Sequence, residues 1–155
     1  MKNMNRREML LGGTAAGLAA VTGGVALAQE KKSGKKESGE HDEMSQKTAK
    51  TCSDCMNECN EVFHHCHEAL AEGKKEYASA AHACADTAEM CACGAALCVR
   101  ASPMMGHCCE ACAKCCDDCI AECEKLNDPG LKAAIEACRK TAKECRDMAK
   151  MMGGK

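Results

Sequence analysis

Seven cysteines lie within the sixteen residues from 108 to 123, and this is the stretch of the chain best equipped for chemistry. Five of these thiols are spaced by three and four positions, which keeps side chains on one face of an α-helix. They are Cys109, Cys112, Cys116, Cys119 and Cys123, and Cys108 and Cys115 flank that stripe. The pattern predicts a helix whose inner face carries thiols where a bundle helix normally carries leucine and isoleucine.

Thiols at this density form disulfides or bind metal ions. Residues three or four apart on a helix have Cβ atoms about 5–6 Å apart, whereas a disulfide needs about 3.8 Å. Pairs within one helix would therefore be strained, and the odd total of 17 cysteines prevents complete pairing. A disulfide-stabilised helical interaction protein is the least favoured of three interpretations.

The two metal interpretations differ in the number of thiolates that each ion needs. Zinc prefers four ligands in a tetrahedron, so a metallothionein-like zinc or cadmium buffer could hold only a few ions. Cu(I) is soft and prefers thiolate, and two sulfurs roughly 4.6 Å apart suffice if its bonds resemble those of zinc to thiolate. Residues i and i+4 on a helix meet that span, and the chain has five such pairs: Cys55/Cys59, Cys108/Cys112, Cys112/Cys116, Cys115/Cys119 and Cys119/Cys123. The spacing favours storage of several Cu(I) ions per chain.

The other cysteines require neighbouring helices to complete their sites. Three of them, Cys84, Cys91 and Cys98, are seven residues apart, which is too far for them to pair with one another. Cys93 departs from that spacing, which predicts an exposed position or a helix distortion near Gly94. Cys138 and Cys145 on the last helix likewise need partners on other helices, and Cys52 and Cys66 on the first helix complete the candidate ligands.

Four helices are predicted to position these thiols. They cover about 44–72, 75–100, 103–127 and 129–152, with Gly73 as a C-cap and Ser102-Pro103 and Asp128-Pro129 as start signals. Short turns between long amphipathic helices favour antiparallel neighbours. We therefore expect an all-α fold, an antiparallel up-down-up-down four-helix bundle with a cysteine-lined core, over residues 44–152.

The composition excludes some classes of function. The 21 Lys and Arg balance 23 Asp and Glu, and there is no Trp and only one Phe and one Tyr, so a nucleic-acid partner is not expected. Large apolar residues are few, and the thiols must supply much of the core as small hydrophobes. The repeated, similar ligands lack a convergent His/carboxylate set, and we expect no catalysis.

The N-terminal residues predict export. Asn5-Arg6-Arg7 opens a motif similar to twin-arginine leaders, an apolar run follows, and Ala26-Leu27-Ala28 fits a cleavage site. We expect residues 1–28 to be a signal peptide, with a periplasmic or other extracytoplasmic destination and no membrane attachment after cleavage. Residues 29–43 read as a disordered charged linker that includes a solvated His41, and 153–155 as a flexible tail.

A leader of this kind, followed by four helices with inward C-x3-C and C-x2-C cysteines, resembles the bacterial copper storage protein family, in particular its exported branch. The resemblance covers about residues 44–152 as well as the leader. It implies a homo-oligomer, most simply a homotetramer, whose protomers each bind many Cu(I) ions inside the bundle. It also implies copper uptake at one open end that bears Met and His. It names no copper donor or acceptor protein.

The residues themselves predict where that open end lies. In an antiparallel bundle the starts of the first and third helices meet the ends of the second and fourth. Thioethers need no deprotonation to bind Cu(I), so a methionine-rich end suits copper uptake, although methionine is also adaptable core filler. The candidate uptake residues are Met44, Met104, Met105, His107, Met148, Met151 and Met152. His64, His67 and His82 fall off the cysteine stripes and are expected on solvated faces.

Overall fold

The computed structural model describes residues 37–153, and the predicted signal peptide lies outside that range. Four α-helices account for most of the described chain: α1 Glu37–Ala71, α2 Ala78–Val99, α3 Met105–Glu124 and α4 Lys132–Met151. Short 3₁₀ turns, Lys75–Tyr77 and Pro129–Leu131, lead into α2 and α4. None of the helices in the described range is both long and apolar enough to cross a membrane.

The helices close into an antiparallel ring. Each helix packs against the next along the chain, and α1 packs against α4. The short connections reverse the chain each time, so the predicted up-down-up-down four-helix bundle is confirmed. One end of the bundle collects the starts of α1 and α3 and the ends of α2 and α4. We call this end the mouth, and the opposite end the closed end.

The core consists mainly of cysteine and alanine. Between residues 37 and 153 few large apolar side chains are buried, namely Val62, Leu131, Met105 and Met148. One close approach requires glycine, because a Cβ on Gly106 of α3 would lie 2.9 Å from the Cβ atom of Met152 at the end of α4. Free cysteine behaves as a small hydrophobe, so the thiols provide the packing that leucine provides in an ordinary bundle.

The described part of α1 begins at Glu37, seven residues before the predicted start at Met44. The predicted linker 29–43 is therefore wrong over residues 37–43, which are helical. Extending an existing helix costs little, because each added residue gains a hydrogen bond. The extension also gives His41 a contact across the mouth, with its Nε2 atom 2.9 Å from the Sδ atom of Met152.

The other helix ends follow local signals. Gly73, at φ +90°, ends α1, and the amide of Lys74 donates to the carbonyl of Ala69, as in a Schellman motif. α3 begins at Met105 rather than at Pro103, because the Ser102 hydroxyl accepts the Met104 amide in a turn that precedes the helix. The Asp128-Pro129 signal does begin a helical turn, with the Asp128 carboxylate accepting the Gly130 amide at 2.8 Å.

A polar network holds the closed end together. The Asp128 carboxylate lies 2.7 Å from the Nε2 atom of His65 on α1, and it accepts the Tyr77 hydroxyl at 2.7 Å. These two contacts, with the Gly130 amide, lower the pKa of Asp128 to about 2. One carboxylate thus joins three segments of the chain: α1, the turn before α2 and the turn before α4.

Replacing Asp128 by Asn should lower the free energy of unfolding by about 1 kcal/mol at pH 7, allowing for partial exposure of the group. The folded-state pKa lies below the ordinary value of 3.8, so this stability is present above pH 3.8 and is lost as the pH falls through about 2. Thermal unfolding followed by circular dichroism should show that the difference in unfolding free energy between parent and variant becomes smaller as the pH falls from 3.8 to about 2. Asp118→Asn, on an exposed face of α3, is the control. Equal losses in both variants would contradict this role.

Candidate metal centre

Fourteen of the 17 cysteines are buried in the bundle, each at most 2% exposed. All 17 are free thiols in the structure. The heptad spacing explains the burial, because residues three and four apart share one helix face. The three exceptions are Cys93, which is exposed, and Cys108 and Cys115, which are partly buried.

The buried sulfurs gather into five triads, within each of which all Sγ atoms lie within 4.8 Å of one another. Every triad joins at least two helices, so no single segment could form one alone. The triads are Cys52/Cys112/Cys145, Cys55/Cys116/Cys138, Cys59/Cys119/Cys138, Cys84/Cys119/Cys123 and Cys91/Cys112/Cys116.

The triads form one continuous chain of eleven sulfurs, because neighbouring triads share a member. The shared cysteines are Cys112, Cys116, Cys119 and Cys138, each of which belongs to two triads. Sγ atoms in direct contact along this chain are 3.5 Å apart between Cys91 and Cys112 and up to 4.0 Å apart between Cys119 and Cys123. An ion held in one triad would therefore have another set of sulfurs beside it.

Three further buried thiols lie beyond the ends of this chain. Cys98 and Cys109, whose Sγ atoms are 4.0 Å apart, lie on the mouth side. The nearby thiols of Cys145, in the first triad, and of Cys98 lower the pKa of the Cys109 thiol. Cys66 lies towards the closed end, where burial raises the pKa of its thiol. Sulfur thus extends along most of the length of the bundle.

The structure brings together three of the five predicted i, i+4 pairs. The Sγ atoms of Cys55 and Cys59 are 3.9 Å apart, those of Cys119 and Cys123 are 4.0 Å apart, and Cys112 and Cys116 share a triad. The other two pairs, Cys108/Cys112 and Cys115/Cys119, combine a partly buried thiol with a core thiol and form none of these sulfur contacts within residues 37–153. Cys108 and Cys115 lie on the outer side of the stripe, where the helix turns them away from the axis.

The thiols of the core oppose one another's ionisation. Neighbouring thiols, Cys116 foremost, lower the pKa of the Cys112 thiol, because protonated thiols around it stabilise a single thiolate. The neighbouring thiols of Cys112 and then Cys116 raise the pKa of Cys91. The hydrogen bond with Cys109, followed by burial, raises the pKa of Cys98. The core therefore tolerates an isolated thiolate, but adjacent thiolates require a cation between them.

The mouth contains all the predicted uptake residues, at different depths. Met105 and Met148 are fully buried, and the Ser45 hydroxyl donates to the Sδ atom of Met105 at 3.7 Å. Met44 and Met152 are partly buried. The remaining three, Met104, Met151 and His107, are exposed.

The sequence prediction missed His41, which belongs to the mouth through its contact with Met152. A usable signal was present in the spacing. His41, Ser45, Thr48 and Cys52 are separated by four, three and four residues, which continues the cysteine stripe of α1 towards its start. The outer histidines are as predicted, with His64, His67 and His82 all exposed.

Comparison with known proteins points to one family. A family model described as copper storage protein matches residues 40–150. The chain is similar to copper-free copper storage protein 3 from Bacillus subtilis, with 31% identity, a TM-score of 0.58, and 66% of this chain and 95% of that chain covered. It is also similar to the Cu(I)-bound copper storage protein BsCsp3, with 30% identity, a TM-score of 0.62, and coverage of 68% and 98%. No curated protein sequence matches.

Proposed function

This chain belongs to the copper storage protein family, and we propose that it stores many Cu(I) ions on cysteine thiolates along the axis of its bundle. The continuous chain of buried sulfurs carries this proposal. A catalytic metal site has few ligands and an open coordination position. Here the ligands are numerous, alike and buried, an arrangement suited to capacity rather than to catalysis.

The sulfur geometry suits Cu(I) better than zinc. Contacting Sγ atoms are 3.5–4.0 Å apart, and a two-coordinate ion needs roughly 4.6 Å between its sulfurs. A small change of side-chain torsion supplies that difference without moving the helices. Independent zinc sites would need four thiolates each, whereas the triads share members and cannot all be completed as separate tetrahedra.

Sharing of sulfurs also determines the capacity. Each two-coordinate Cu(I) bonds to two thiolates, and a bridging thiolate bonds to two ions. If all core thiolates bridge in this way, the number of ions approaches the number of core thiols. Each ion also neutralises thiolates that would otherwise repel their neighbours. Filling one site therefore makes ionisation of the adjacent thiols less costly.

Three cysteines of α3 test this account, because every triad contains at least one of Cys112, Cys116 and Cys119. Replacing all three by Ala should remove several ions from the Cu(I) stoichiometry while the protein stays helical. Capacity is measured by anaerobic titration against a chromophoric Cu(I) chelator, and folding by circular dichroism.

The matched control replaces the three cysteines outside the core, Cys93, Cys108 and Cys115, by Ala. It removes the same number of thiols and should cost one ion at most. If the two triple variants lose equal numbers of ions, the triads are not the store.

We also propose that copper enters at the mouth. Thioethers bind Cu(I) without losing a proton, and Met152 and Met44 are partly accessible there above the buried Met105 and Met148. The His41 imidazole beside Met152 adds a nitrogen ligand at the same place. From this end an ion would next meet the Cys98 and Cys109 thiols.

Replacing Met104, Met105, Met151 and Met152 by Leu should slow Cu(I) uptake more than it reduces capacity, because Leu keeps the volume and removes the thioether. Stopped-flow uptake with a stoichiometric Cu(I) donor measures the rate. Met56→Leu/Met90→Leu, at partly buried positions of α1 and α2 away from the mouth, is the control. Equal uptake rates in both variants would show that copper enters elsewhere.

Export is proposed from the leader. The arginine pair, apolar run and Ala26-Leu27-Ala28 support secretion by the twin-arginine route and storage outside the cytoplasm. N-terminal sequencing of the protein from its native cell fraction tests this. A chain that keeps Met1 and stays in the cytoplasm would contradict it.

A homotetramer is proposed from the family resemblance. Sedimentation of the mature protein with and without Cu(I) tests it, and a mass of one protomer at micromolar concentration would contradict it.

A further inference from the structure

Cys93 and Cys108 form a thiol pair outside the core. The Sγ atom of Cys108 lies 3.7 Å from that of Cys93, across the outer side of the contact between α2 and α3. Cys93 is exposed and Cys108 is partly buried. Their separation falls within the range of the contacting core pairs, although neither thiol belongs to a triad.

The two helices, rather than a loop, fix this pair. Both cysteines belong to outer positions that repeat every seven residues: Ser79, Asp86 and Cys93 on α2, and Cys108, Cys115 and Glu122 on α3. The other members of these two repeats line one groove between α2 and α3, in the same antiparallel register: Ser79, Asp86, Cys115 and Glu122. The pair is therefore held by the same packing that positions the core.

Packing alone does not account for two thiols at this place. Asp86 lies one heptad before Cys93 on α2, and Glu122 lies one heptad after Cys115 on α3. Both line the groove between these helices, so this groove accommodates ionised side chains. An exposed cysteine buries little apolar surface and stabilises the bundle little. Two facing thiols do, however, provide the donor set that Cu(I) prefers.

We propose that Cys93 and Cys108 form a surface Cu(I) site, separate from the core, that exchanges its ion with thiol ligands in solution. The inference rests on the proposed copper function and adds a second kind of site to it. Rotation of the exposed Cys93 side chain widens the sulfur separation towards the roughly 4.6 Å that two-coordinate binding needs.

Accessibility gives this site its distinct behaviour. On binding, each thiol loses its proton to solvent and both thiolates bond to Cu(I), which is neither oxidised nor reduced. An incoming thiol loses its proton and forms a third Cu–S bond, one cysteine bond then breaks, and the released cysteine thiolate takes up a proton. A second incoming thiol displaces the other cysteine in the same way, and the ion leaves the site. Core sulfurs, at most 2% exposed, cannot be approached in this way from the flank of the bundle.

The test follows removal of copper from the fully loaded, reduced mature protein. A thiol-containing chelator too bulky to enter the bundle should withdraw about one ion per chain in a fast phase, and the rest far more slowly. Cys93→Ser/Cys108→Ser should abolish the fast phase and lower the stoichiometry by about one ion. Cys115→Ser is the control, because Cys115 lies one heptad after Cys108 in the same groove but faces Asp86 instead of a thiol. This variant should keep the fast phase and the stoichiometry of the parent.

A fast phase that survives in the double variant with undiminished stoichiometry would overturn the surface site. So would a parent protein with no fast phase. In either case the multi-ion capacity of the core would persist, whereas failure of copper storage itself would reduce the total to a few ions. Circular dichroism verifies that the serine variants remain folded, as expected for substitutions outside the core.

Discussion

Crowding of buried thiols is the constraint on which this structure depends. Protonated thiols pack as small hydrophobes and hold four helices together with few large apolar side chains. The same thiols cannot all ionise in that environment, because adjacent thiolates repel and burial disfavours charge. A soft monovalent cation removes both costs. The apoprotein and the loaded protein can therefore share one scaffold, in which the cysteines first serve as core and then as ligands.

The bundle distributes this chemistry unevenly along its axis. The closed end is held by a carboxylate, Asp128, that joins three chain segments through His65, Tyr77 and a backbone amide. The mouth instead carries thioethers and the His41 imidazole. Between the two ends, cysteines that belong to two triads connect the sites. The antiparallel order of the helices brings the thioethers together at one end and Asp128 with its partners at the other, so the two ends differ in chemistry.

Helical periodicity predicted the bundle and cysteines that turn towards its axis, because a repeat of three and four residues defines one face, but it also included Cys108 and Cys115, which are only partly buried. It could not fix the partners across helices, since these depend on the relative register of two helices, so the contact between Cys93 and Cys108 was not foreseen. It also could not give the depth of each methionine at the mouth, where Met148 is fully buried and Met151 is exposed. The charged, polar composition around His41 predicts disorder, whereas its spacing continues the cysteine stripe of α1, and the structure follows the spacing.

The most direct test of the central claim is an anaerobic Cu(I) titration of the reduced, metal-free mature protein against a competing chromophoric chelator, repeated with zinc. The chain has 14 buried thiols, and neighbouring ions can share a bridging thiolate. The account therefore predicts tight binding of roughly ten or more Cu(I) per chain. Saturation at about four or fewer ions, with zinc bound comparably well, would contradict it and favour independent tetrathiolate sites of a metallothionein-like buffer.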